Sequence, residues 1–106
     1  MKLLTKELER RFAQVGSQED KGDDAIVVAK FFTPWTNWTW YCLEWSPEDR
    51  TFFGLVDGFE TEFGSFALEE LEEINGPAGL RIERDLYWKE RTIGEVRAAL
   101  ASGARL

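Results

Sequence analysis

The side chains best suited to chemistry are carboxylates, and they are concentrated in one part of the chain. Between residues 51 and 75 there is no base, and seven acids stand there: Asp57, Glu60, Glu62, Glu69, Glu70, Glu72 and Glu73. The whole chain has a net charge of −7, whereas residues 44–75 alone carry −9. Carboxylates at these strand and helix spacings stand ~5–7 Å apart, similar to the phosphates of a nucleic acid. We therefore expect this acidic face to bind a basic partner, steered by electrostatics.

The same residues have a simpler interpretation, a solvated helix beside a polar strand face. Charged surfaces keep many proteins soluble without binding anything. The concentration has a small cost, because like charges at i and i+4, such as Glu69 and Glu73, repel by a few tenths of a kcal/mol. The sequence leaves both interpretations open.

Catalytic and metal-binding patterns are weak. The chain has no histidine, which excludes histidine-based acid–base catalysis and histidine metal ligation. Cys42 is the single cysteine, so no internal disulfide forms, and it has no activating base nearby. The acids of loop 16–24 lack the spacing of a calcium-binding loop. Bases and acids interleave near the C-terminus, which favours local ion pairs at Arg81, Arg84, Lys89 and Arg91. We expect a non-enzymatic protein without metal or cofactor.

Residues 31–41 contain six of the fifteen aromatic residues. Their large apolar area favours core packing, although tryptophans on a sheet also stack unpaired bases in single-strand binders. Stacking needs a basic groove, and only Lys30 lies nearby. Trp35 follows Pro34 in a turn, so we expect it to be the exposed member of the run and a partner-binding candidate. The alternative function is a DNA-processing accessory that binds single-stranded nucleic acid through exposed aromatics.

The elements that must position these residues can be predicted from capping, periodicity and turn signals. Helices are predicted at 6–14 after an N-cap at Thr5, at 67–74 after Ser65, and from the capping box at Thr92 to about residue 102. Strands are predicted at 25–33, 38–45, 51–56 and 59–66, with a short extended piece within 81–88.

Two details of these elements matter for the surface. In the fourth strand, Phe59, Thr61 and Phe63 alternate with glutamates, so we expect one buried and one exposed face. Loop 16–24 has no apolar anchor and is the expected mobile segment. The element order predicts one α+β domain over residues 1–106. Its antiparallel sheet of three to five strands would have one face packed against two or three short helices.

The sequence shows no pattern typical of secretion or membrane insertion. The N-terminus lacks the apolar stretch of a signal peptide, and no apolar run is long enough to span a membrane. We expect a cytoplasmic protein that does not contact a membrane. The oligomeric state remains open from sequence.

Several short segments resemble a known family of small bacterial proteins. They are Lys30–Pro34, Asn37–Tyr41, Phe52–Val56, Leu68–Leu71 and Gly79–Tyr87, in order and at the expected spacing over roughly residues 2–97. That family is a domain of unknown function whose members often lie on plasmids, phages and integrative elements. The resemblance carries over no activity and no catalytic residue. It implies a mobile-element setting, in which an acidic protein of this size would inhibit a nucleic-acid-dependent defence complex, such as a CRISPR effector or a restriction enzyme.

Overall fold

The architecture is α+β, as predicted, in a computed structural model that describes residues 1–104 and 106. The helices are α1 (Lys6–Val15), α2 (Leu68–Glu73) and α3 (Ile93–Ala101). The strands are β1 (Ile26–Val27), β2 (Ala29–Phe32), β3 (Thr39–Ser46), β4 (Thr51–Asp57), β5 (Thr61–Ala67), β6 (Glu83–Arg84) and β7 (Arg91–Thr92). Short 3₁₀ turns span Glu19–Asp24 and Pro77–Gly79.

The strands form two antiparallel sheets. The main sheet has five strands in the order β5-β4-β3-β2-β6, and β1 pairs with β7 in a second sheet of two strands. The chain makes this division at Val28, whose N–H still donates to the carbonyl of Cys42. The predicted single strand over 25–33 is therefore wrong, because the chain changes pairing partner at Val28.

Both faces of the main sheet are covered, which corrects the expectation that the helices pack on one face. Side chains alternate along β3, so Trp40 and Cys42 face one way while Tyr41 and Leu43 face the other. The first core lies on the side of α1 and α2 and includes Leu4, Phe12, Phe31, Trp40, Phe52, Leu68 and Leu71. The second core lies on the side of α3 and includes Val27, Tyr41, Leu43, Leu55, Ile93 and Val96.

The helix termini show which capping signals the fold uses. Thr5 caps α1 by accepting from the N–H of Leu8, and Thr92 forms the predicted capping box with Glu95. The cap predicted at Ser65 does not form, because β5 continues to Ala67 and α2 begins at Leu68 without a side-chain cap. α2 is held instead by burial of Leu68 and Leu71.

Loop 16–24 has a polar anchor, which the prediction of a loop without an apolar anchor did not include. Gln18 is only 3% exposed. Its Nε2 donates to the carbonyls of Ile26 (2.9 Å) and Leu43 (2.6 Å), and its Oε1 accepts from the N–H of Ile26 at 2.6 Å. Leu43 is the residue at which the β3–β4 register shifts. The side chain therefore joins β1 to β3 where the ladder is irregular.

β5 lies at the edge of the main sheet, and neither of its faces is well covered. Phe59 lies in the turn before the strand and is 93% exposed, while Phe63 within the strand is 44% exposed. The predicted buried face of this strand is therefore wrong. Alternation predicted the strand correctly, but the helices cover this edge of the sheet only in part.

Candidate protein-interaction surface

The seven predicted acids divide into two groups and one separate residue. Glu69, Glu70, Glu72 and Glu73 lie on α2, and all are exposed. Glu60 lies in the turn before β5 and Glu62 lies within β5, and both line a groove with Trp38, Val56 and Phe59. α2 follows β5 directly, so the two groups belong to consecutive elements.

Asp57 points to the opposite face from Glu62. Val56 is the cross-strand partner of Glu62, and Asp57 is the partner of Thr61. Because successive strand residues face opposite ways, the Asp57 carboxylate lies on the α3 side. There its Oδ1 accepts from the hydroxyl of Thr61 at 3.1 Å. Asp57 therefore does not join the other six acids on one face.

Glu69 is the one member of the set with an ion pair among the described residues. The Nε of Arg50 donates to its carboxylate, and this hydrogen bond lowers the pKa of Glu69. Arg50 also lies over the ring of Trp45, 5.9 Å from its centroid. Glu70, Glu72 and Glu73 have no ion-pair partner within residues 1–104 and 106, so they stay available to an external cation.

The groove beside β5 has a volume of about 460 Å³ and an aromatic wall. Phe59 packs edge-on against Trp38 at 5.2 Å between centroids, and Trp38 in turn lies 6.0 Å from Trp40. Glu60 and Glu62 are among the residues that line it. A cationic side chain suits such a groove, because its stem contacts the rings while its charge faces the carboxylates.

The structure places Trp35 in a half-buried position, which corrects the expectation that it is exposed. A Cβ added to Gly76 would lie only 2.6 Å from the ring of Trp35, so the ring lies directly on that glycine's backbone. Gly58 contacts the ring of Trp38 in the same way, at 2.5 Å. The turn position suggested exposure, but the chain that follows α2 returns to cover Trp35.

Sequence reasoning missed a second set of exposed aromatics on the α3 side. Phe53 and Phe63 are cross-strand neighbours, stacked at 6.2 Å with an angle of 9° between the rings. They are 39% and 44% exposed, and Arg97 lies 5.7 Å from the Phe63 ring. The sequence signal for this surface was the alternation of aromatics in β5, which stay exposed unless another element covers them. In the structure the short α3 covers them only in part.

The remaining candidates for chemistry are enclosed or dispersed. Cys42 is fully buried, and burial raises the pKa of its thiol well above the ordinary value, which opposes thiolate formation. Within the described part of the chain, no three acids or cysteines are grouped as metal ligands would be. The local ion pairs predicted for the C-terminal bases are absent from the described residues, because Glu90 pairs with Arg11 and Asp85 pairs with Lys30. Arg84 instead donates to the backbone carbonyls of Lys2 and Leu3.

No helix in residues 1–104 has the length and apolar character needed to cross a membrane.

Comparison with known proteins gives a family and nothing beyond it. Residues 3–104 match the family described as "Protein of unknown function (DUF2958)", and the chain belongs to that family. The match extends past the resemblance seen in the sequence, which ended near residue 97. No curated protein and no solved structure matches the chain.

Proposed function

We propose that this member of the DUF2958 family is a non-enzymatic interaction protein whose acidic surface binds a basic protein. The observation that carries the proposal is the set of exposed carboxylates on α2, of which Glu70, Glu72 and Glu73 lack an ion-pair partner within the described residues. Glu60 and Glu62, at the other end of β5, add further negative charge. A protein groove that holds nucleic acid is the partner surface with matching charge.

In its finer form, the proposal is that the chain inhibits a nucleic-acid-dependent defence complex by occupying such a groove. Small size and concentrated acidic charge support this form. The mobile-element setting implied by the family resemblance supports it as well. A CRISPR effector or a restriction enzyme would be a partner of this kind.

The alternative, binding of single-stranded nucleic acid, has less support from the geometry. The most exposed aromatic near the tryptophans is Phe59, and it lies beside Glu60 and Glu62, whose charge repels phosphates. A titration with single-stranded DNA at low salt separates the two functions. We expect no quenching of tryptophan emission, and clear quenching would favour the alternative.

The test of the proposed function is charge reversal on α2. The triple variant Glu70→Lys, Glu72→Lys and Glu73→Lys leaves the Glu69–Arg50 pair in place. Captured proteins from nuclease-treated bacterial lysate are compared for wild type and variant over a salt titration. We expect the variant to lose basic partners that wild type binds at low salt and releases at high salt.

A matched control reverses three acids elsewhere. Glu19, Asp20 and Asp24 are exposed, and changing them to lysine alters the net charge by the same amount. This control is expected to keep the partners. Equal capture by both triple variants would show that the α2 carboxylates do not form the binding surface. A captured partner should also be displaced by added duplex DNA, if its groove holds nucleic acid.

A further inference from the structure

β5 presents an open strand edge on the acidic side of the molecule. Within the described residues, β5 pairs with β4 alone and is the outermost of the five strands. The opposite edge of the sheet is only two residues long, because β6 spans Glu83–Arg84. An edge strand of seven residues has a row of backbone donors and acceptors available to another chain.

The register identifies the outward-pointing backbone groups. The N–H of Leu68 donates to the carbonyl of Arg50 at 3.1 Å, and the N–H of Gly58 donates to that of Glu60 at 3.0 Å. Both bonds belong to one ladder in which hydrogen-bonded and non-hydrogen-bonded pairs alternate. The even-numbered residues of β5 therefore bond to β4. The N–H and C=O groups of Thr61, Phe63 and Ser65 point away from the sheet.

The two faces beside this edge differ in chemistry. On the α1–α2 side, Gly64 has open space around its Cα, and the groove with Glu60 and Glu62 begins there. On the α3 side, the stacked rings of Phe53 and Phe63 are partly exposed. An added strand would thus place alternate side chains against carboxylates and against aromatic rings.

We propose that β5 takes up an extended segment of the partner by strand addition. The segment alternates lysine or arginine with apolar residues, the basic side chains lying over Gly64 towards Glu60 and Glu62. This rests on the proposed function, since the same carboxylates contact a basic protein there. It adds the binding mode: backbone hydrogen bonds give affinity, and the alternating side chains select the sequence.

Charge favours a basic segment over a second copy of the chain as the occupant of this edge. Each copy carries a net charge of −7, with Glu60 and Glu62 at the edge that would pair. Pairing two such edges brings like charges together, whereas a basic segment neutralises them. We therefore expect that the isolated protein does not dimerise through this edge at micromolar concentration.

The probe is a synthetic peptide in which four lysines alternate with three valines. Its control has the same composition, with the lysines and valines in separate blocks. At physiological salt, we expect the alternating peptide to bind about tenfold more tightly than the block peptide, a difference of about 1.4 kcal/mol. The 106-residue chain is used for both.

Amide hydrogen exchange with the bound peptide gives the most specific readout. Strand addition should slow exchange at Phe63 and Ser65 by about tenfold or more, because their outward N–H groups gain partners. The amides of Glu62 and Gly64 already donate to β4 and should change little. A contact through side chains alone would not produce this alternation.

Ser65→Pro removes one outward N–H without removing a bond to β4, and proline is tolerated at such edge positions. We expect it to lose the preference for the alternating peptide, while Ser65→Ala keeps that preference. Thermal unfolding of both variants confirms that they are folded.

Three outcomes would overturn the proposal that β5 takes up a basic segment of a partner. If both peptides bind equally and Ser65→Pro binds them as wild type does, charge attraction alone explains the binding and strand addition does not occur. Absence of binding by either peptide would remove the β5 site. A dimer that Ser65→Pro dissociates would show that a second copy occupies the edge. The α2 reversal experiment is independent of all three, so the proposed function can fail or hold separately.

Discussion

At the scale of single residues, Gln18 is the polar side chain on which a whole segment depends. It satisfies the N–H and C=O of Ile26 and the carbonyl of Leu43, and its own N–H donates to the Glu44 carboxylate at 3.0 Å. No local pattern around residue 18 could predict this, because its partners are 8 and 25 residues further along the chain. The sequence predicted a mobile loop 16–24 because a polar anchor leaves no hydrophobic periodicity in the sequence.

We predict that Gln18→Ala lowers the free energy of unfolding by about 3 kcal/mol, since buried backbone groups lose their partners. The matched control is Gln14→Ala on the exposed surface of α1, expected within about 0.5 kcal/mol of wild type. Urea unfolding measures both. Equal stabilities for the two variants would show that water replaces the Gln18 amide without cost.

Tyr41 gives the protein a pH dependence at high pH. Burial, and then the nearby Asp57 carboxylate, raise the pKa of Tyr41 to about 12 from 10.0. A group whose pKa is higher in the folded state contributes stability that is complete below its unfolded pKa. That contribution is lost as the pH rises from about 10.0 to about 12, when the unfolded chain ionises first.

We therefore predict that the free energy of unfolding of wild type falls relative to that of Tyr41→Phe between pH 10.0 and about 12. Urea unfolding at a series of pH values measures it. Asp57→Asn removes the second cause, so the tyrosinate absorbance of Tyr41 should appear at lower pH in that variant. Tyr87→Phe is the control, because its ring is 90% exposed. Parallel pH profiles for wild type and Tyr41→Phe would contradict the prediction.

At the scale of elements, the sequence predicted those whose signals are local. The caps at Thr5 and Thr92 and the turn before β4 were enough to place α1, α3 and the β3–β4 hairpin. The division at Val28 and the exposure of β5 were not predictable, because both depend on which distant element packs alongside. The acidic residues were found from composition, but their separation onto two faces depends on the register at Asp57.

Two cross-strand glycines provide a test of the β3–β4–β5 packing. A Cβ at Gly54 would overlap the carbonyl of Tyr41, whereas a Cβ at Gly64 would meet nothing within 4 Å. We predict that Gly54→Ala destabilises the fold by about 3 kcal/mol and that Gly64→Ala stays within about 0.5 kcal/mol of wild type. Thermal unfolding compares them. Similar melting temperatures would mean that β3 and β4 can separate locally at no cost.

At the scale of the whole molecule, the two cores share the same central strands. On β3, Trp40 packs in the first core and Tyr41 packs in the second. Because both cores need the same sheet, we expect them to unfold together. The single domain predicted over residues 1–106 therefore implies one cooperative unfolding transition.

We predict that Phe12→Ala in the first core and Ile93→Ala in the second each lower one shared unfolding midpoint. The expected losses are about 3–5 and about 2–5 kcal/mol. Tryptophan fluorescence and far-ultraviolet circular dichroism should report coincident transitions in both variants. Separate transitions in either variant would show that the cores unfold independently.

The amide of Gln18 also has a consequence for the order in which the chain folds. β3, β4 and β5 are joined by short turns, so their ladders close small loops and form early. The Gln18 side chain finds the carbonyl of Leu43 only once that meander exists. We therefore expect its bonds to be absent from the folding transition state, so that Gln18→Ala accelerates unfolding and leaves the folding rate nearly unchanged in stopped-flow measurements. In that case the polar anchor determines the lifetime of the native state rather than its rate of formation.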